Sequence, residues 1–222
     1  MNQYDKYDRC VKQWNDIFSK DPLNVPDKKE TGNETFDKGL AWLTQDTVTV
    51  LDFGCGSGTI LLLCSQYGTR EHIGIDLSPQ AVNNAKARAQ KAPSGKFHFF
   101  CGGTEALKNI QDHSADAAVL SNIIDNLYPE DAYTVLTEMK RILKKGGKLL
   151  VKLNPYLTAK EIGENGIREI GKNVLDDGMI LWNNTTEEWN SILGSRFHIE
   201  HYEDIYYREY NQYNRMYLLV NR

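Results

Sequence analysis

The chain is poor in cysteine and proline, with four and six in 222 residues, and neither falls into a pattern with a structural task. Cys10, Cys55, Cys64 and Cys101 form no C-x-x-C pair of the kind that holds a metal. The five histidines, His72, His98, His113, His198 and His201, are scattered and form no H-E-x-x-H. No metal is therefore expected. No window approaches the roughly 18 to 20 apolar residues that cross a bilayer. Met1 to Lys12 alternates charges and tyrosines where a signal peptide would carry an apolar core. Without an export signal, reduced thiols in a cytoplasmic protein are the expectation. A cationic surplus is missing too. Lysine and arginine number 26 against 30 aspartates and glutamates, a net charge of -4, which gives no global attraction to nucleic-acid phosphates or anionic membranes. Neither is expected as a partner, and no oligomeric state is implied. Repeats and low-complexity tracts are also absent.

What is present is an ordinary globular composition, 41% hydrophobic and 25% charged, in a chain long enough for one sizeable α/β domain. Tyr7, Val11, Trp14 and Phe18 recur at helical spacing and predict a helix over residues 1–20. Pro22, Pro26 and Gly32 mark a loop, and a second helix is expected from Glu34 to Leu43. From residue 47 strands and helices alternate. Strands are expected over 47–53, 72–76, 96–101, 115–121 and 148–153. Helices are expected over 59–67, 79–90 and 129–143. Ser78 is placed to cap the second of these with Pro79 at its first position, and Gly146-Gly147 is expected to stop the third. Alternation of this kind implies parallel strands joined by crossovers. Phe197 to Tyr207 and Met216 to Val220 are joined by about eight polar residues, too few for a crossover helix, so they should pair antiparallel. The expected fold is α/β: a Rossmann-like, doubly wound, mostly parallel seven-stranded sheet in three α/β/α layers, with a C-terminal antiparallel hairpin.

The sharpest motif is Val50-Leu51-Asp52-Phe53-Gly54-Cys55-Gly56-Ser57-Gly58. It follows a predicted strand and opens a predicted helix, and its glycines let backbone approach a ligand closely. The dinucleotide fingerprint G-x-G-x-x-G fails here, because Thr59 or Leu61 occupies the third glycine's place in either register. Asp52 would repel a pyrophosphate but could receive a cationic amino group. The second strand ends at Asp76, 18 residues after Gly58, where an acid can accept both hydroxyls of a ribose.

These segments, with Ala118-Val119-Leu120-Ser121-Asn122 and Leu143 to Val151, resemble the class I S-adenosylmethionine-dependent methyltransferases, small-molecule members in particular. The resemblance covers residues 36 to 153 and implies a cofactor, S-adenosylmethionine, with S-adenosylhomocysteine as product. It implies that Gly54, Cys55, Gly56 and Gly58 line the methionine moiety while Asp52 helps hold its amino end. Asp76 would take the ribose hydroxyls and Leu77 would pack on adenine. Where the family often has an aspartate this chain has Gly103, so Thr104 and Glu105 or backbone groups would serve the adenine. Asn122 would lie near the sulfonium. Tyr7-Asp8 and Trp14-Asn15 resemble the family's N-terminal lid, in which Tyr7 and Trp14 would exclude water from the sulfonium; the same residues also fit an amphipathic helix packed on the domain.

One domain over 1–222 is expected, divided into N-terminal lid helices (1–45), a cofactor-binding core (46–153), a substrate-specificity insertion (154–194) and a C-terminal β-hairpin (195–222). The acceptor is expected to be a small molecule; the alternatives are methylation of RNA or protein, or binding of the cofactor without turnover. On its side the weak catalytic candidates are Asn122, Asp125 and Tyr128, in the loop after the fourth strand. Asp125 fits either a base or a cap of the helix that begins at Pro129. Asn154-Pro155-Tyr156 resembles the Asn-Pro-Pro-Tyr signature of amino-group methylation on nucleobases, but it follows the fifth strand and lacks the second proline, so it reads as a turn. Thr185 to Glu188 reads as a capping box. Trp182 and Trp189 fit either a substrate pocket or packing against the sheet.

Overall fold

The computed structural model describes residues 5–222; Met1 to Tyr4, part of the first predicted helix, lie outside the described residues. A 3-10 turn leads into α1 (Asp8–Phe18), and α2 (Glu34–Thr44) follows a loop. The alternating core then runs β1 (Thr49–Phe53), α3 (Thr59–Gln66), β2 (Glu71–Asp76), α4 (Pro79–Ala89), β3 (Lys96–Cys101), β4 (Ala115–Ser121), α5 (Pro129–Ile142) and β5 (Leu143–Leu153). Residues 154–194 hold α6 (Ala159–Glu164), three short strands β6 (Arg168–Gly171), β7 (Val174–Asp176) and β8 (Ile180–Trp182), and α7 (Thr186–Gly194). The strands β9 (His198–Tyr207) and β10 (Gln212–Val220) end the chain.

Seven strands form the main sheet in the order β3-β2-β1-β4-β5-β10-β9. The first five run parallel, and β10 pairs antiparallel with both β5 and β9. Residues alternate between two apolar layers. Leu51, Leu120, Leu149 and Val151 face α5 and α7, whereas Val50, Val119, Leu150 and Met216 face α2, α3 and α4. The order reverses direction between β1 and β4, and open sheets of this kind bind ligands at the carboxyl ends of the strands flanking such a point.

Local chemistry explains most boundaries. The Ser78 hydroxyl accepts the Ala81 N–H at 3.0 Å and Pro79 needs no partner at the first position, so α4 begins as the residues dictate. Thr185 and Glu188 form the capping box of α7, and Thr158 with Glu161 forms a second one for α6 that the sequence reading missed. Two boundaries are corrected. Gly146-Gly147 does not stop α5, which ends at Ile142; Leu143 is already extended (ψ 135°) and β5 starts there. The glycines instead shape a kink inside β5, where a Cβ on Gly147 would sit 2.8 Å from the Lys144 carbonyl oxygen. The hairpin connection is also shorter than expected, because β10 begins at Gln212 and leaves only residues 208–211 between the strands. The antiparallel sheet β6-β7-β8 was not foreseen, since strands of three and four residues are too short to show a period.

Both tryptophans of the insertion are core. Trp189 is fully buried and meets Trp182 edge-on at 5.0 Å, and Trp182 meets Tyr133 of α5 at 5.3 Å. No helix among the described residues is long and apolar enough to cross a membrane. No group of metal-ligating side chains occurs among the described residues, and the four cysteines are unpaired.

Candidate active site

The first turn of the parallel sheet is held by backbone bonds before any ligand is considered. The N–H groups of Gly54 and Cys55 both donate to the Ile75 carbonyl, at 2.8 and 3.1 Å, which draws the turn after β1 onto the end of β2. Gly54 has φ +79°, and a Cβ there would lie 2.8 Å from the side chain of Ile123 in the loop after β4. At Gly56 (φ +51°) a Cβ would touch the Phe18 ring of α1 at 3.1 Å. Glycine at these two positions therefore lets the β4 loop and the N-terminal helix close over the turn.

A cavity of about 260 Å³ lies at the carboxyl ends of β1, β2 and β4. Its wall combines Tyr7, at the N-cap of α1, and Cys10, Trp14 and Phe18 of α1 with Gly54, Asp76, Leu77, Gly103, Thr104, Glu105, Ser121, Asn122 and Ile123. Helix α1 forms the roof and is tied down along its length. The Tyr7 hydroxyl donates to Asp131 at 2.6 Å and accepts the Tyr128 N–H at 3.0 Å. Further along, Asn15 accepts from the Ser78 hydroxyl at 2.6 Å, and Asn84 donates to the Phe18 carbonyl at 2.7 Å.

The Asp76 carboxylate accepts the N–H of Gly56 with one oxygen and that of Ser78 with the other, both at 2.8 Å. Burial raises its pKa above the ordinary carboxylate value, and these two bonds oppose the rise. Glu105 accepts the Gly103 N–H at 2.8 Å. Asn122 holds φ +53°, uncommon for a residue other than glycine. Its side-chain nitrogen donates to Asn154 at 2.7 Å, leaving a buried carbonyl oxygen without a partner among the described residues.

Asp52 lies beneath the turn rather than on the cavity wall. It is 1% exposed, and among the described residues neither of its oxygens has a hydrogen-bond partner. Burial, reinforced by the charge of Asp76, pushes its pKa up to about 8. Between about pH 4, where an unfolded aspartate loses its proton, and about pH 8 the folded chain thus binds the extra proton. Its contribution to stability is full below that window and is lost as pH rises through it. Asp52→Asn, which cannot ionise, is expected to flatten the fall in Tm between about pH 5 and pH 8. Calorimetric scans across that range check this, and a slope matching wild type would mean that Asp52 is ionised in the folded state.

The structure brings Tyr7, Trp14, Gly54, Asp76, Leu77, Gly103, Thr104, Glu105 and Asn122 to one cavity and sets other expected residues apart. Cys55 turns into the core among Val82, Ala85 and Phe99, because its alternate position points away from the cavity. Gly58 backs onto Phe99 and Ala85, where a Cβ would meet them at 3.1 and 3.2 Å. Tyr128 packs its ring on Tyr7 at 5.6 Å and does not reach the wall. Asp125 is neither an accessible base nor a cap. It is fully buried and accepts from the backbone and side-chain nitrogens of Asn154, at 2.6 and 3.0 Å, while Tyr128 occupies the N-cap of α5. Asn154, read as a turn residue, is instead a hub: it also donates to Asn126 at 2.8 Å, and its carbonyl accepts from Arg215.

Residues 51–151 match the family model described as a methyltransferase domain. The ribosomal protein L11 methyltransferase of Photobacterium profundum is 32% identical over 116 residues, half of this chain and 36% of that protein. The protein of the same name from Clostridium perfringens is 27% identical over 65% of this chain and 42% of its own length. The chain thus spans well under half the length of these curated relatives. Among solved structures, a methyltransferase of Methanosarcina mazei described as SAM-dependent superposes with a TM-score of 0.66 at 23% identity, covering 78% of this chain and 92% of that one. The 1,6-didemethyltoxoflavin-N1-methyltransferase of Burkholderia thailandensis, solved with S-adenosylhomocysteine, gives 0.72 at 12% identity over 100% and 91% of the two chains. Residues 51–151 of this chain thus match the model of a methyltransferase domain, on a fold shared with these solved methyltransferases.

Proposed function

We propose that this chain transfers a methyl group from S-adenosylmethionine to a small-molecule acceptor. The observation that carries the reading is the sign of the cavity. Among the described residues its wall has Asp76, Glu105 and Asp131 but no lysine or arginine. Such a wall suits a ligand bearing a sulfonium and an ammonium, and it opposes the pyrophosphate of a dinucleotide. Gly54 would line the amino-acid end, Asp76 would hold the ribose, and Leu77 with Gly103, Thr104 and Glu105 the adenine. Asn122, Tyr7 and Trp14 would flank the sulfonium. When bound, the cofactor supplies the electrophilic methyl group. The chain's own part is to align the acceptor behind that group and to exclude water, effects that reach roughly 7–11 kcal/mol. A general base is not obligatory, so a wall without a histidine or a free carboxylate on the acceptor side is adequate.

The insertion 154–194 shapes the acceptor side. The Ile180 carbonyl of β8 accepts from Asn126 at 3.2 Å, and Asp176 of β7 pairs with Arg9 of the roof helix. A roof anchored at both ends favours a compact acceptor. A protein acceptor, as the names of the L11 relatives suggest, would have to thread a side chain beneath α1. Calorimetric titration should show binding of S-adenosylhomocysteine and none of NADH; a preference for NADH would overturn the cofactor. Labelled methyl transfer into a cell extract separated by size should appear in the small-molecule fraction, and label confined to protein would overturn the acceptor class.

A further inference from the structure

Lys152 is the penultimate residue of β5, in register with Ser121 of β4. Ser121 lines the cavity. Alternation along the two strands puts both side chains on the layer of Val119 and Leu150, the face covered by α2. The Lys152 ammonium is seated between two rings, 5.0 Å from the centre of Phe36 of α2 and 5.4 Å from that of Tyr207 of β9. Among the described residues its one hydrogen bond is a long one, 3.4 Å to the Tyr207 hydroxyl, and it makes no ion pair. Other sheltered cations here are better served. Arg88 gives its N–H groups to Asn24 and Ser57 carbonyls at 2.8 and 2.7 Å, Arg215 to those of Asn154 and Asn184, and Lys148 to those of Trp42 and Gln45.

A sheltered ammonium with so few acceptors is costly unless an anion completes it. Desolvation lowers its pKa to about 8, so at neutral pH it is still mostly charged. The charges around it do not fill the vacancy in its bonding. Asp125 acts only through space and is bonded to Asn154, while Asp37 of α2 and Glu209 beyond β9 are felt at Tyr207. The cofactor region next door is acidic, so an anionic group is repelled there and attracted here.

We propose that Lys152 is the acceptor-recognition residue and that the methyl acceptor is an organic acid whose carboxylate or phenolate oxygen it binds. This rests on the methyltransferase reading above. It assigns to the acceptor a charge opposite to that of the cofactor's sulfonium and ammonium. Phe36 and Tyr207 supply the apolar walls that make such a pair strong by excluding water.

The test uses the full chain with S-adenosylhomocysteine bound and lysine side-chain nitrogens labelled with 15N. The Lys152 resonance, identified by its loss in Lys152→Met, should titrate well below the other lysines and move to higher pKa on adding benzoate, salicylate or 4-hydroxybenzoate, but not benzamide. A small-molecule extract is then split on an anion-exchange resin and each fraction is offered with labelled cofactor. Methyl acceptance should lie in the retained acids, with KM raised at least about tenfold in Lys152→Met, partly recovered in Lys152→Arg, and S-adenosylhomocysteine affinity unchanged in both. Acceptance confined to the unretained fraction, or a Lys152 resonance indifferent to all three acids, overturns the assignment while leaving the methyltransferase reading intact. Failure of wild type to bind S-adenosylhomocysteine would bring down that reading first.

Discussion

Asp76→Ala is expected to weaken S-adenosylhomocysteine binding about 100-fold, which is roughly 3 kcal/mol. A carboxylate offers about four lone-pair sites. Two of those at Asp76 are taken by the N–H groups of Gly56 and Ser78, which leaves two for a ligand in the cavity that Asp76 lines. Two vicinal hydroxyls would complete the set, and hydrogen bonds to a charged acceptor contribute about 1.5–3 kcal/mol each. The same substitution releases the turn after β1, so part of the loss comes from a looser site. Asp76→Asn, which keeps one acceptor oxygen, should fall between the two. Isothermal titration calorimetry on the three proteins measures this, and an affinity for Asp76→Ala within about threefold of wild type would remove Asp76 from the binding site.

Trp189→Ala should destabilise the chain by about 3–5 kcal/mol, the usual cost of deleting a buried tryptophan. Its ring is fully buried between Trp182 and the sheet. The indole N–H has no acceptor in the fold, so the loss is one of packing and cavity formation, with no hydrogen bond to forfeit. Urea unfolding followed by circular dichroism gives the number. Because Trp189 does not line the cavity, the folded variant should bind S-adenosylhomocysteine as wild type does. A loss of affinity with unchanged stability would return the residue to a pocket wall.

What could be read from the residues alone was whatever is local. The glycine turn after β1, the serine cap of α4 and the alternation of strands and helices each depend on neighbours within a few positions. The acid at the end of β2 was legible because its spacing from the turn is fixed by one crossover. What depends on partners far along the chain was not. The role of Asp125 is set by Asn154, 29 residues away, and no spacing rule connects the two. Lys152 looked like one more strand lysine until the fold set Phe36 and Tyr207 around it. Gly146-Gly147 resembled a helix stop because glycine pairs often are, whereas here the chain turns extended three residues earlier. The tryptophans of the insertion were undecided for the same reason, since burial of a large ring is a tertiary property.

Asn154 joins the segment after β5 to Asn122, Asp125 and Asn126 of the segment after β4, and its carbonyl is clamped by Arg215 from β10. Two stretches that evolution or an engineer would treat as independent are thus a single mechanical piece. Retuning acceptor preference by randomising one stretch breaks the shared hydrogen bonds each time, so useful changes will be found in matched pairs, and their effects will depart from additivity in proportion to how directly each touches that asparagine.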